Sequence, residues 1–335
     1  MRKTTVLLVN LGTPDDPRVG KVRSYLSQFL NDPRVIDIPW LARKILVNLI
    51  IVPFRAPKSA KIYQDLWTND GSPIIIYGES VKALLQKQLG SDYSVELAMR
   101  YKNPSISSVL ERIRKTNAKK IIVLPLFPHY ASASTGSALE AVMDEIKKWW
   151  VIPELSIISQ YWDHPGYIKA FIERGKKYDW KDYDHVIFSY HGLPERHVDK
   201  VYDDGLCKDR DCLHEVNDEN HFCYKATCYG TTRLLAEGLG IPKEHYTVSF
   251  QSRLDKNWIE PFSDKVVEEK AKAGAKKLLV FSPAFVADCL ETIIEIGDEY
   301  QEIFEKHGGE KVQLVESLND HPLWIDALED LVKTH

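Results

Sequence analysis

The feature that most limits this chain is the regular return of short, almost unbroken apolar runs. They fall at 4–12 (TTVLLVNLG), 95–101 (VELAMRY), 119–127 (KKIIVLPLF), 155–161 (LSIISQY), 185–191 (HVIFSYH), 246–252 (YTVSFQS), 276–281 (KKLLVF) and 312–317 (VQLVES). Runs of this length without polar alternation suit strands covered on both faces, as in parallel sheets. Amphipathic stretches separate them, such as SISSVLERIRKT at 105–116 and ALEAVMDEIKKWW at 138–150. Strand–helix alternation of this kind predicts an α/β fold.

The runs also repeat. AKKIIVL (118–124) returns as AKKLLVF (275–281), and VLLVNLGTP (6–14) as VIFSYHGLP (186–194), each of the latter an apolar strand closing on Gly-x-Pro. Two pairs in the same order predict two copies of a four-stranded parallel α/β unit, and 335 residues suffice for two cores. The expected halves are residues 1–153 and 154–319, with a terminal helix at 320–335 packing back on the first. Ligands of such sheets bind beyond the carboxyl ends of the strands. Gly12-Thr13-Pro14, Pro128-His129-Tyr130, Tyr190-His191-Gly192 and Pro283-Ala284-Phe285 stand there, and a cleft between the two units is the expected binding site. No GxGxxG or GxxxxGK[ST] follows a strand, so nucleotide binding has no motif. STGSA (134–138) opens a helix and suits either an anion or simple capping.

A net charge of −4 argues against nucleic acid as the partner. The start, MRKTTVLLVNLG, runs straight into a strand with no cleavage-site pattern, which predicts a cytoplasmic protein with reduced thiols. No apolar run reaches the roughly 18–20 residues of a membrane span. WLARKILVNLII (40–51), between Pro39 and Pro53, reads as a buried or lip-forming helix. Arg43, Lys44 and Arg55 flank it, so a surface-lying membrane contact is the other reading.

His191 ends a buried-looking strand, where an imidazole can move protons or bind a metal; the plain alternative is a structural histidine. Glu291, Glu295 and Glu299 recur every four residues in FVADCLETIIEIGDEY (285–300) and share one face of a helix. A solvated face would tolerate them, but FVADCLETII is too apolar for an exposed first turn, so Glu291 is expected to be partly buried. Four of the five cysteines, Cys207, Cys212, Cys223 and Cys228, lie within CKDRDCLHEVNDENHFCYKATC. Their spacing allows zinc or an iron–sulfur cluster, and the segment has too few large apolar residues to order itself by burial alone. Cys289, in ADCLE, reads as a packing thiol.

LVNLGTPDDP, SQFLNDPRVIDIP, NDGSPI, RYKNPSI, LPLFPHYASASTGSA, SYHGLPERH, FQSR and FVADCLETIIEIGDEY occur in this order. Over nearly its whole length the chain resembles the ferrochelatases. The resemblance implies two Rossmann-like, chelatase-type domains with a porphyrin cleft between them. The implied reaction inserts Fe²⁺ into protoporphyrin IX, gives protohaem and releases two protons. By the same resemblance, His191 and Glu291 are the catalytic pair, either as base and orienting acid or as ligands of the substrate Fe²⁺. Glu295 and Glu299 form an acidic path. Leu11, Ser72, Arg100 and Tyr101 match porphyrin-cleft positions, and Leu11 stands where coproporphyrin-using enzymes carry Tyr. Residues 35–55 match a hydrophobic lip that grips porphyrin and touches the inner membrane as a peripheral contact; a homodimer is allowed. Where many members have a short Gly-Asp-x-Tyr-like turn after HGLP, this chain carries an insertion at 203–228. Some bacterial members hold a [2Fe–2S] cluster through four cysteines in such a segment, and this chain resembles those, with zinc as the alternative. The rival functions are a coproporphyrin III ferrochelatase, a chelatase for another tetrapyrrole or metal, a non-catalytic porphyrin or haem carrier, and a zinc-module interaction protein.

Overall fold

The structure is a computed structural model that describes residues 4–335. The chain forms two compact units, one running to Gln160 and completed by Leu328–His335, the other Tyr161–Ala327. The first holds a four-stranded sheet of β1 (Thr4–Gly12), β2 (Tyr93–Tyr101), β3 (Lys120–Pro125) and β4 (Glu154–Ile157), in the order β2-β1-β3-β4. The second holds β5 (His185–His191), β6 (Tyr246–Gln251), β7 (Lys277–Phe281) and β8 (Lys311–Leu314), in the order β6-β5-β7-β8. Every pairing is parallel. The two orders are the same, and the sequence repeats fall on equivalent strands: AKKIIVL on β3 and AKKLLVF on β7, VLLVNLGTP on β1 and VIFSYHGLP on β5.

Three strands stop earlier than their apolar runs. β3 ends at Pro125, which has no N–H to extend the ladder. β4 and β8 are edge strands and keep only the residues their single neighbour pairs. The expected division at 153/154 is corrected by the same pairing. Glu154–Ile157 bonds to β3 through Lys120↔Glu154 to Val123↔Ile157, so the division falls after β4. The terminal helix is also shared differently: only Leu328–His335 joins the first unit. Trp324, fully buried, packs on Tyr161 and Tyr167 of the second.

Helices cover the sheets. In the first unit they are α1 (Val19–Leu30), α2 (Trp40–Ile45), α3 (Val52–Leu66), α4 (Pro73–Leu89), α5 (Ile106–Thr116) and α6 (Ser137–Ile146). α5 shows how local sequence sets an element. Ser105 caps it by accepting the Ser108 N–H, and Asn117 ends it in the left-handed conformation at φ 57°. Its Ile106, Val109, Leu110 and Ile113 recur at helical spacing and pack on Leu7, Val9, Ile121 and Val123 of the sheet. Burial of each such side chain contributes about 1.5–3 kcal/mol.

The second unit carries α7 (Pro165–Gly175), α8 (Glu195–Asp199), α9 (Tyr224–Leu239), α10 (Ser263–Lys272), α11 (Tyr300–Lys306) and the first part of α12 (Pro322–Lys333). A π-helix, Glu291–Glu299, leads into α11. Its Ile296 is fully buried and joins the core of Ile187, Val267, Leu278, Val280 and Phe304. That anchor fixes the helix carrying the three glutamates.

The 40–51 stretch is α2 followed by a π turn, Leu46–Ile51. Trp40, Leu41, Ile45, Leu49, Ile50 and, beyond it, Phe54 are all exposed, so this face is not part of the core. Arg43 departs from expectation. It is buried, and its Nη1 donates to the carbonyls of Ile36 and Ile38, so it braces the segment rather than flanking its apolar face. No described helix is long and apolar enough to cross a membrane.

Gly12 closes β1 at φ +104°, where a Cβ would stand 2.0 Å from the Tyr101 carbonyl oxygen on β2. Gly12→Ala is expected to destabilise the protein by about 2–4 kcal/mol in urea unfolding. Gly20→Ala, in open space on α1, is expected to stay within about 1 kcal/mol of wild type. Equal effects at the two positions would refute the steric reading.

Candidate functional site

β5 delivers His191 to the carboxyl end of its sheet, beside Gln251, its partner in register on β6. The chain then turns at Gly192, whose N–H donates to the Gln251 carbonyl at 2.7 Å. A Cβ at Gly192 would meet that same carbonyl oxygen at 2.7 Å and the Trp258 ring at 3.1 Å, so the close turn requires glycine. His191 is partly exposed. Its Nδ1 lies 2.6 Å from the Gly192 carbonyl oxygen, and the Trp258 and Phe285 rings stand 6.4 and 6.5 Å from it, centre to centre. A carbonyl only accepts, so Nδ1 carries the proton of the neutral ring and Nε2 carries the lone pair.

The three glutamates form a graded line. Glu291 and Glu295 are partly exposed and Glu299 is exposed. The sequence predicts an ordinary helix here; the structure has i→i+5 geometry, a form often found at functional sites. The Glu295 carboxylate is the most tightly held. Oε1 accepts from the Ser252 N–H at 2.8 Å, and Oε2 accepts from the Ser252 hydroxyl at 2.5 Å and from Gln251 Nε2 at 3.1 Å. Ser252 reaches both oxygens because it sits at φ 61°. Burial raises the Glu295 pKa above the usual carboxylate value; the Ser252 hydroxyl and the His191 charge lower it, and the Glu291 charge raises it. Glu295 therefore interacts with both members of the expected pair. Glu299 is raised as well, by desolvation and then by Glu295, Glu302 and Asp298. Burial, then the Glu291 charge, pushes the Cys289 thiol well up, in keeping with a packing role. Gln251 and Ser252 were not singled out by sequence reasoning. Their only signal was their place in FQSR at the end of a strand.

The expected porphyrin-cleft residues belong to the first unit. Leu11 is partly exposed at the end of β1. Ser72 is buried, with its hydroxyl 3.2 Å from that of Thr13. Arg100 donates from Nη2 to Asp32 Oδ2 at 2.6 Å and from Nε to the Ser137 hydroxyl at 2.6 Å. Tyr101 has no exposed surface, and its hydroxyl donates to the same Asp32 oxygen at 2.9 Å. Burial, then the Asp32 charge, raises its pKa far above the usual phenol value. Tyr101 thus supports Arg100 from beneath and offers no surface of its own. Asp32, the hub of this network, carried no sequence signal beyond its place before Pro33. Arg100 lines a cavity of about 680 Å³ with Arg23, Lys44 and Lys102, a cationic wall in which Asp32 is the one acid.

In the cysteine segment, Cys207 lies on a short turn after α8, Cys212 follows in a loop, and Cys223 caps α9. Their sulfurs form a buried triangle with sides of 3.7, 3.6 and 3.7 Å. Thiolates at about 2.3 Å from one tetrahedral metal ion stand about 3.8 Å apart. Among the described residues this is the only group of three or more ligand atoms within 4.8 Å of one another, and it can hold a metal. Cys228 is fully buried in the second turn of α9 but outside the triangle. Hydrogen bonds from Cys207 and Cys223 push the Cys212 thiol down, and the same sharing pushes Cys207 up. Leu206, Leu213 and Phe222 are exposed, so the segment has little apolar core apart from the sulfurs. His214 and His221 are exposed, with Nδ1 bound to Asp211 and to the Asp218 carbonyl.

The ferrochelatase family model matches residues 3–335. A ferrochelatase of Legionella pneumophila (strain Lens) is 44% identical over 328 residues, covering 98% of each chain. One from Coxiella burnetii (strain CbuK_Q154) is 42% identical over 334 residues, covering 99% of this chain and 93% of the relative. Among solved structures, SirB from Bacillus subtilis with Fe³⁺ shares the fold, with a TM-score of 0.55 at 14% identity over 99% of this chain and 94% of that one. The chain belongs to the ferrochelatase family, lyases that insert ferrous iron into a porphyrin.

Proposed function

We propose that the substrate porphyrin is protoporphyrin IX and that His191 accepts a pyrrole proton as Fe²⁺ enters. The observation that carries this is the His191 ring itself, with Nδ1 committed to the Gly192 carbonyl and Nε2 left to accept. Two protons leave for each iron inserted, and one imidazole holds only one. Glu291 serves as the second acceptor, and Glu295 and Glu299 carry protons outward to the exposed end of the π-helix. The partly exposed Trp258 and Phe285 rings give an apolar surface against which a flat macrocycle can be bent using binding energy. The competing assignment makes His191 and Glu291 ligands of the entering Fe²⁺. Leu11, apolar and partly exposed at the end of β1, supports protoporphyrin over coproporphyrin.

The exposed apolar face of residues 40–54 supports a peripheral membrane contact for a cytoplasmic protein. The insertion would hold a [2Fe–2S] cluster through Cys207, Cys212 and Cys223, with Cys228, buried on α9 outside their triangle, as the fourth ligand the sequence spacing offers. When bound, such a centre cross-links a segment that lacks an apolar core. Zinc is the second reading, favoured by the tetrahedral spacing of the three sulfurs.

Three results are expected. His191→Ala and Glu291→Gln each lower kcat for Fe²⁺ insertion by about 100-fold or more, while porphyrin binding stays within a few-fold. Near-normal turnover in His191→Ala would overturn the assignment. Protein purified without oxygen is red-brown with about two irons and two sulfides per chain; a colourless protein with one zinc assigns zinc instead. The third concerns stability. The folded-state pKa of Glu295 lies above its unfolded value of about 4.3, so the ionised carboxylate opposes folding. That cost is absent below the unfolded value and grows as pH rises through the folded one. Glu295→Gln should gain Tm relative to wild type as the pH rises above about 4, the unfolded carboxylate range. A pH-independent difference would contradict it.

A further inference from the structure

We propose that Gln251 is a positioning residue that holds the acids of the π-helix in register with His191. It rests on the reading of His191 and Glu291 as the reacting pair. Gln251 is 2% exposed and occupies the last position of β6, directly beside His191 on β5. Its backbone carbonyl takes the N–H of Gly192, which fixes the turn behind the imidazole. Its side chain faces the other way. Nε2 donates to the Glu291 carbonyl at 3.0 Å and to Glu295 Oε2 at 3.1 Å, while Oε1 accepts from the Ser189 hydroxyl at 2.8 Å.

The orientation of this amide has only one solution. The Glu291 carbonyl and the Glu295 carboxylate are both acceptors, so the amide nitrogen must face them and the oxygen must face the hydroxyl. Ser189 is fully buried on β5, two residues before His191, and its hydroxyl also lies 3.0 Å from that of Ser263. One buried side chain thus joins the strand of the imidazole to the backbone at the start of the π-helix and to its second acid. A buried amide with both ends bonded is costly to rearrange. The π-helix therefore keeps one setting relative to His191, and Glu295 keeps a donor that favours its ionised form.

The test uses the full chain with Fe²⁺ and protoporphyrin. Gln251→Met keeps the length and removes both donors. The expected result is a loss of about tenfold or more in kcat, with the porphyrin KM within about twofold. The acid limb of its kcat–pH profile should also move to higher pH, because Glu295 loses a donor to its charged form. Gln251→Glu, which sets a carboxylate against two acceptors, should lose more at neutral pH and recover in part as that carboxyl is protonated. Should Gln251→Met fail to fold, Ser189→Ala removes the bond that orients the amide and should shift the same limb in the same direction. A lowered unfolding midpoint with kcat and pH profile unchanged would show Gln251 to be merely structural and overturn the proposal. Normal turnover in His191→Ala would instead overturn the reacting pair on which it rests.

Discussion

The parallel ladder between β5 and β6 is the constraint on which the site depends. Its final pair sets His191 beside Gln251, and both strands are buried along almost their whole length. In a sheet the side chains alternate between faces, so a slip of β5 by one residue would turn His191 to the opposite side and away from Gln251. The apolar residues of β5 forbid that slip, because Ile187 would leave the core it shares with α10 and the π-helix. The packing that stabilises the strand is thus the same packing that aims the imidazole.

The two units show one scaffold used in two ways. Leu11 and His191 occupy equivalent positions in the repeated segments, and each is followed by a glycine pressed against a carbonyl of the neighbouring strand, Tyr101 for Gly12 and Gln251 for Gly192. In the first unit the residues around that strand end build a closed network, with Arg100, Tyr101 and Ser137 all bonded to the buried Asp32 carboxylate. In the second, the equivalent place holds an imidazole with one nitrogen left to accept, next to a line of carboxylates. The duplication supplies a rigid strand end, and the side chains placed there decide its chemistry.

The cysteine segment follows a different physical rule. The units around it are held by apolar burial, whereas its larger apolar residues are exposed and its sulfurs are buried. Three thiols within 3.7 Å of one another are poorly placed as packing groups and well placed as ligands, since a shared positive ion relieves the crowding that their own protons only partly relieve. This sets the segment apart from the strand ends around it, where what is buried is apolar side chains rather than sulfur.

The sequence by itself determined the α/β class, the eight strands, the duplication, the helical line of Glu291, Glu295 and Glu299, and the placing of His191 at a strand end. These follow from local patterns: apolar runs, spacing by four, and glycine at a turn. Tertiary structure decided the rest. The π geometry of the acidic helix, whose Ile296 packs into a core built from distant strands, follows from no local sequence pattern. The burial of Arg43, which pattern reading set beside the apolar face, and of Tyr101, which the resemblance set at the cleft, depends on carbonyls and a carboxylate that the fold brings to them. The separation of Cys228 from the other three sulfurs depends on α9 starting just after Cys223 and carrying the later cysteine into its own buried face. Gln251 was unreadable for the same reason: its role lies in partners 40 and more residues away, and only folding brings those atoms within a hydrogen bond's length.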